Sequence, residues 1–234
     1  MTQASQARRR RASRGAGEQL RDEIIAATRD LLAASANADA VSIRAVADAV
    51  GVTPPSIYLH FADKDALIEA VVAAVFAELD AAMLAAGDSV EHPLAKLCAF
   101  GLAYVRFAVE HPEHYRVATM DRSLTEGQPG QLDQMLNDAA FSRLVETVRG
   151  CQQAGIFAPG DPLPVALQMW AAAHGIASLM IAKPFLPWGD VERAAESALF
   201  AAALGKATGD LIGGPDVGPE RVAEWLEAQK AAGT

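Results

Sequence analysis

Residues 42–64, SIRAVADAVGVTPPSIYLHFADK, decide the fold that we expect for this chain. Ser42 is a favourable N-cap for a short helix over residues 43–50, and Gly51 is the residue type that commonly ends a helix. Thr53 then caps a second short helix, and the two prolines after it suit the first helical turn because their φ angles are already helical. The stretch therefore predicts a helix-turn-helix, a motif that reads DNA in the major groove.

The apolar residues of this stretch fit the close packing that such a motif needs. Ala47 is small enough for the two helices to approach each other. Ile57 lies at the position that packs back against Val46 and Val50, and we assign Phe61 to the same core. Glycine at the turn adopts a left-handed conformation without steric cost.

The remainder of the chain predicts an all-α protein. Half of the residues are apolar, alanine is frequent, and apolar residues recur at helical spacing. No uninterrupted apolar segment suggests a membrane span, and no secretory signal follows the basic N-terminus, so we expect a cytoplasmic protein. The expected helices cover residues 19–35, 43–50, 64–86, 93–111, 112–120, 131–154, 162–182, 191–208 and 220–231, with a further short helix that begins at residue 54.

The charge is distributed unevenly along the chain. The net charge is −9, but residues 1–64 carry +2 and residues 65–234 carry −11. Attraction for DNA phosphates is therefore expected at the N-terminal end, and the acidic remainder should point away from DNA. Residues 1–17 contain the arginine run Arg8–Arg11 and predict a disordered basic arm. This arm either lies in the minor groove or has no specific role.

The segment GVTPPSIYLHFADKDAL resembles the recognition helix of the TetR family of bacterial transcriptional regulators. The resemblance covers about residues 19–68 and implies an all-helical homodimer, with a three-helix DNA-binding domain and a C-terminal domain for ligand binding and dimerisation. Trp170-Ala-Ala-Ala-His174-Gly175 resembles the Trp-His-Gly signature of one C-terminal subclass. We accordingly expect a DNA-binding domain over residues 18–64, an effector-binding and dimerisation domain over 65–209, and a tail over 210–234.

Hydroxyl groups and a proline open the second helix of the motif. Thr53 and Ser56 lie where hydroxyls and free N–H groups can reach phosphates or base edges. Pro55 can contact a thymine methyl group. All three are candidate DNA contacts.

The remaining candidate DNA contacts are longer side chains. Tyr58 and His60 can donate hydrogen bonds to phosphates, and Lys64 at the start of the next helix can pair with one. Arg44 can reach a base edge or the backbone. The family resemblance supports Tyr58, His60 and Lys64 as contacts. Tyr58 and His60 could alternatively be packing residues.

The C-terminal half contains a set of aromatic, methionine and histidine residues that either line an effector pocket or form the core. His174 follows Trp170 by one helical turn, so both lie on one face, and His174 could contact a ligand, belong to the core or lie on a dimer face. We favour the dimer face, since the alanines of residues 166–182 permit close helix approach. The candidate pocket residues are Phe100, Tyr104, Phe107, Met135, Phe141, Met169, Trp170 and His174.

No catalytic arrangement stands out, and we predict neither an enzyme nor a cofactor. His111 and His114, with the glutamates beside them, suggest a solvated corner, a metal site being the alternative. Cys98 and Cys151 suggest reduced, packed thiols, with a redox pair as the alternative.

The expected function is that of a repressor that binds a palindromic operator as a homodimer and is released by an apolar small molecule. The expected partners are therefore double-stranded DNA, a second copy of the chain and that effector. A regulator without a ligand, an activator, and a helical enzyme whose helix-turn-helix is incidental are the alternatives.

Overall fold

The computed structural model describes residues 16–35, 41–119, 139–214 and 217–232, and within them every regular element is an α-helix. The predicted all-α class is confirmed. The helices are α1 (Ala16–Ser35), α2 (Ile43–Val50), α3 (Pro54–Tyr58), α4 (Lys64–Gly87), α5 (Pro93–Glu110), α6 (Pro112–Thr119), α7 (Ala139–Gln153), α8 (Pro162–Ala182), α9 (Val191–Gly213) and α10 (Pro219–Ala232).

The helix-turn-helix forms through the local signals that the sequence predicted. The Ala45 N–H donates to Ser42 Oγ over 3.2 Å, which caps α2. Gly51 ends α2 with a φ of 77°, a left-handed conformation that glycine adopts at little cost. Ile57 of α3 is fully buried in one core with Val46 and Ala47 of α2. The spacing of α2 and α3 is therefore set by a dry apolar contact.

Helix α4 contributes to two separate cores. Asp63 caps it, because its carboxylate accepts the Ala66 N–H over 2.8 Å. Leu67 and Val71 are buried with α1, α2 and α3, whereas Leu79 is buried against the C-terminal helices. The expected domain boundary at residue 64 therefore coincides with the start of α4, but the first turns of this helix pack with the DNA-binding domain.

The C-terminal bundle is built around α5 and α8. Helix α5 packs against α4, α7, α8 and α9, and α8 packs against α5, α7 and α9. Within the described residues, the first bundle core includes Phe100, Tyr104 and Met180. A second core includes Phe141 and Met169.

Helix α8 is predominantly apolar and contains no charged residue. It is the helix among the described residues that is long and apolar enough to cross a membrane by length and composition. The sequence alone does not indicate such a segment, because Gln168, His174 and Ser178 interrupt the apolar run. A core helix of a bundle passes the same test, and α8 packs against three other helices.

The C-terminal end of α9 differs from the prediction. Helix α9 continues through Gly209 to Gly213, because these glycines provide a surface without side chains on which the next segment packs. A Cβ atom at Gly209 would lie 3.0 Å from Val217, and one at Gly213 would lie 2.8 Å from it. These glycines therefore fit Val217 rather than ending the helix. The arginine run Arg8–Arg11 and the candidate Met135 lie outside the described residues.

Gly87, at the end of α4, is expected to tolerate no larger residue. A Cβ atom there would lie 2.2 Å from Cε1 of Phe100, so Gly87→Ala should reduce the free energy of unfolding by about 1–3 kcal/mol. Gly150 of α7 is the matched control, since its Cβ would meet only Pro93 at 3.7 Å. Gly150→Ala should stabilise by about 0.5–1 kcal/mol through higher helix propensity. Denaturant unfolding at one protein concentration compares the two, and equal effects would contradict the packing argument.

Candidate nucleic-acid interface and the polar cluster of the bundle

Helix α3 has a buried side and an exposed side. Ile57 is fully buried, whereas the neighbouring Tyr58 is 54% exposed and Leu59 is 84% exposed. Pro55 is also exposed. Large side chains that stay exposed beside a well-formed core are available for a partner.

The start of α3 carries an exposed pair of hydroxyl groups. Thr53 Oγ1 and Ser56 Oγ lie 3.0 Å apart and share a hydrogen bond. Thr53 occupies the N-cap position, but its side chain makes no capping hydrogen bond. The prediction that Thr53 is the N-cap residue is confirmed, but its hydroxyl bonds the Ser56 hydroxyl rather than a backbone N–H. Both hydroxyls retain lone pairs for further contacts.

The candidate cations stand on either side of α3 in the chain. Arg44 is exposed in the first turn of α2, and Lys64 is half-buried at the start of α4. His60 is half-buried in the turn that follows α3. Phe61 is buried as predicted, with the Arg21 guanidinium of α1 5.1 Å from its ring centre. The Phe61 contact fixes the chain between α3 and α4, and with it the positions of His60 and Lys64.

Leu59 is a candidate contact that the sequence analysis missed. It follows Tyr58 directly and is the most exposed large apolar residue of this region. Leucine at helical spacing normally predicts core, so the pattern of residue types held no signal for it. One indirect indication was its position two residues after Ile57. Residues two apart do not share a helix face, so a buried Ile57 implies that Leu59 points elsewhere.

Two protein families match this chain. Residues 24–71 match the family described as "Bacterial regulatory proteins, tetR family", and residues 97–205 match "Tetracyclin repressor-like, C-terminal domain". Together they cover about two thirds of the chain and coincide with the helix-turn-helix unit and the bundle. The chain belongs to the TetR family. It is accordingly a TetR-family transcription regulator with a DNA-binding helical domain.

Solved structures share this fold over most of the chain. A protein of unknown function from Rhodococcus sp. RHA1 is 29% identical with a TM-score of 0.68, and the match covers 86% of this chain and 99% of that one. A TetR family transcription regulator from Marinobacter aquaeolei VT8 is 19% identical with a TM-score of 0.66, covering 81% and 98%. A tetR family regulatory protein from Rhodococcus RHA1 is 21% identical with a TM-score of 0.61, covering 79% and 95%. No curated protein matches the sequence.

A hydrogen-bonded cluster of aromatic side chains lies inside the bundle of this TetR-family regulator. Trp170 Nε1 donates to the Tyr104 hydroxyl over 3.3 Å, and the Tyr104 and Tyr115 hydroxyls lie 3.0 Å apart. His174 Nδ1 lies 2.7 Å from the Tyr115 hydroxyl and 3.1 Å from that of Tyr104. These four side chains are named the polar cluster below. Tyr115, which the sequence analysis did not select, comes from the short helix α6.

Burial determines the protonation of the polar cluster. Burial raises the pKa of Tyr104 well above its ordinary value, and the neighbouring Tyr115 raises it further. Burial also lowers the pKa of His174. Both groups are therefore neutral near pH 7, and the cluster carries no formal charge.

The other described pocket candidates pack in two different cores of the bundle. Phe100 and Phe107 are buried in the first bundle core, and Phe141 and Met169 in the second. Trp170 packs against both cores, and its ring centre lies 6.1 Å from that of Phe141. The described candidates therefore form two packed layers that meet at Trp170.

The two cysteines pack in the second bundle core and form no disulfide. Burial raises the pKa of Cys151 to about 11, with a smaller contribution from Cys98. Burial raises the pKa of Cys98 as well. Thiols that stay protonated at neutral pH are poor nucleophiles, which favours packed thiols over a redox pair.

Helix α6 joins the polar cluster to the DNA-binding domain. It packs against α1, α4 and α5, and its Tyr115 is buried in the first bundle core. Its His114 stacks on His111 at 5.9 Å between ring centres. Arg29 of α1 pairs with Glu78 of α4 in the same region. No group of three metal-ligating side chains occurs among the described residues.

The junction between α1 and α6 should weaken in mild acid. Burial, Arg29 and His111 lower the pKa of His114, more than the carboxylates of Glu78 and Asp30 raise it. The unfolded chain therefore binds this proton more readily, and stability is lost as the pH falls below about 6.5, the ordinary histidine value. In unfolding experiments between pH 7.5 and 5.5, His114→Gln should show a shallower loss of stability than the wild type. Identical slopes would refute the assignment.

Proposed function

We propose that this TetR-family regulator is a repressor that binds a palindromic operator as a homodimer and releases it when a small molecule binds the bundle. The observation that carries the proposal is the exposed side of α3, where Tyr58 and Leu59 stand on a buried scaffold. In a dimer, two such helices would enter major grooves about one turn apart, roughly 34–36 Å.

We assign the DNA contacts by their chemistry. Tyr58, His60 and Lys64 would bind phosphates and fix the orientation on the duplex. Thr53, Pro55 and Ser56 at the start of α3 would face base edges, with Leu59 as an added apolar contact for a thymine methyl. Arg44, exposed on α2, would reach the backbone or a base edge. The arginine run Arg8–Arg11 would add a minor-groove contact.

The DNA contacts can be tested on the DNA that flanks the coding region. Once a duplex that gives a specific shift is found, Lys64→Ala should weaken binding to all sequences and reduce the slope of log K against log salt by about 1.8, because the dimer loses two phosphate contacts at about 0.9 each. Tyr58→Phe should weaken binding about 25-fold, as for two lost hydrogen bonds, one from each subunit. Lys183→Ala, which removes an exposed lysine between α8 and α9, is the control. Failure of the wild type to bind any of these duplexes specifically would contradict the proposal.

The homodimer is supported by the outer side of α8 and α9. Phe200, Leu204 and Leu211 of α9 are exposed at spacings of four and seven residues, which puts them on one helix face. On the neighbouring α8, Leu167 and Leu179 are exposed as well. An apolar surface of this kind, spread over two adjacent helices, suits a second copy of itself in a four-helix interface.

A single charge on this face should separate the subunits. Leu204 is 45% exposed on α9 and Leu84 is 44% exposed on α4, so the two leucines differ in position rather than accessibility. Leu204→Glu should give monomers in analytical ultracentrifugation because it places two carboxylates near the two-fold axis. Leu84→Glu should leave the dimer intact. Dissociation by both variants, or by neither, would overturn the assignment of this face.

Release would follow from a change in the direction of α4. This helix starts beside α3 and packs into the bundle, so a ligand that alters the bundle can alter the distance between the two α3 helices. We propose an apolar effector, since the bundle interior is apolar, and a cytoplasmic location for the regulator. The Trp170–His174–Gly175 sequence would then belong to the Trp-His-Gly subclass.

A further inference from the structure

The hydrogen bonds of the polar cluster depend on which of its nitrogen and oxygen atoms carry protons. Three protons, those of Trp170 Nε1 and of the Tyr104 and Tyr115 hydroxyls, serve its hydrogen bonds. The shortest contact, 2.7 Å, joins the Tyr115 hydroxyl to His174 Nδ1. With the Tyr115 hydroxyl as the donor in this contact, His174 Nδ1 is the acceptor and carries a lone pair and no proton.

This assignment leaves one donor unused. Because burial keeps the His174 ring neutral, its single proton must lie on Nε2. Within the described structure the hydrogen bonds of His174 all involve Nδ1. His174 is half-buried, so this N–H is accessible to water or to a ligand.

A second polar atom without a partner lies one helical turn further along α8. The Ser178 hydroxyl oxygen is buried and forms no hydrogen bond in the described part of the chain. At i, i+4 spacing, His174 and Ser178 are neighbours on the helix surface, with Cβ atoms roughly 5–6 Å apart. Two neighbouring polar groups, an accessible N–H and a buried hydroxyl, thus form no hydrogen bond with the described residues.

Among the described residues near His174, we find no unpaired charge that would neutralise an ionic ligand. Helix α8 contains no charged residue. Arg106 of α5 pairs with Glu192, and Arg116 of α6 pairs with Glu113. Lys96 lies eight residues before Tyr104 on α5, about 12 Å along the helix axis. Burying a carboxylate or an ammonium group beside His174 would therefore leave its charge unpaired.

We propose that His174 is the hydrogen-bond donor of the effector site, and that its Nε2–H binds the acceptor oxygen of an uncharged, otherwise apolar ligand, such as a ketone, ester or ether. Tyr115 connects this site to the DNA-binding domain. It binds His174 directly and belongs to α6, which packs against α1. This inference rests on the proposed function, in which the bundle senses a small molecule.

Ligand chemistry is tested by calorimetry with three probes that share one alkyl chain: 2-octanone, octanoate and octylammonium. The ketone should bind at least about tenfold more tightly than either ion, because only the ketone accepts a hydrogen bond without burying a charge. Equal or tighter binding of octanoate would overturn the proposal, as would the absence of ketone binding up to its solubility limit.

The role of His174 is tested with matched variants of α8. His174→Phe should weaken binding of 2-octanone about fivefold to tenfold, through the loss of one hydrogen bond. His174→Gln retains a side-chain donor and should lose less affinity for 2-octanone. This comparison distinguishes the loss of the donor from a general disturbance of the fold. Gln168→Ala alters an exposed residue of the same helix and should bind like the wild type. Unchanged binding by His174→Phe would overturn the assignment.

The position of the proton on the His174 ring can be measured without a ligand. Nitrogen-15 NMR of the histidine side chains should show His174 as the neutral Nε2–H form. A proton on Nδ1 would overturn the assignment of the donor, because that nitrogen could not accept from Tyr115.

The connection through Tyr115 is tested by hydrogen exchange. Adding 2-octanone should change amide exchange in α1 and α6 of the wild type. Tyr115→Phe should still bind the ketone, since the Tyr104 hydroxyl 3.1 Å from His174 Nδ1 can replace the lost donor, but should transmit less change to α1. An equal response in both proteins would overturn the connection. All of these measurements are made without DNA, so their failure is distinguishable from failure to find an operator.

Discussion

Burial of one continuous stripe on α4 is the constraint on which the rest of the structure depends. Leu67 and Val71 complete the core of the DNA-binding domain, and Val75, Leu79 and Met83 enter the bundle without a break in the helix. Residues of both cores lie on this one continuous helix. A change in the packing of either core is therefore expected to change the direction of α4. At the C-terminal end of α4, the Phe100 ring packs against Gly87.

Side connections limit how far α4 can move. Arg143 of α7 forms a two-point ion pair with Asp80 of α4, with N–O distances of 2.9 and 3.2 Å. Arg29 connects Glu78 of α4 to α1. Partly buried, two-point pairs of arginine with a carboxylate have a defined geometry. Movement of α4 relative to α1 and α7 must therefore break or re-form specific pairs, which suits a switch between two arrangements.

The polar cluster illustrates why a site inside a bundle is harder to predict than one on its surface. Trp170 and His174 were recognisable as one face of a helix, because helical spacing is a local property. Tyr115 was missed although it completes the cluster, since it comes from a different helix 59 residues away from His174. Phe141 and Met169 were grouped with the cluster by residue type, but they pack in another core. Residue type alone does not specify which helices meet.

The sequence by itself determined the helix-turn-helix, its caps at Ser42 and Asp63, the left-handed turn at Gly51 and the all-α class, because each depends on residues close together in the chain. The tertiary structure decided which side of α3 stays exposed, including Leu59, and that α9 runs past Gly209 to receive Val217. It also decided the partners of His174. These features depend on contacts between distant segments, where the free energy of burial outweighs local preference.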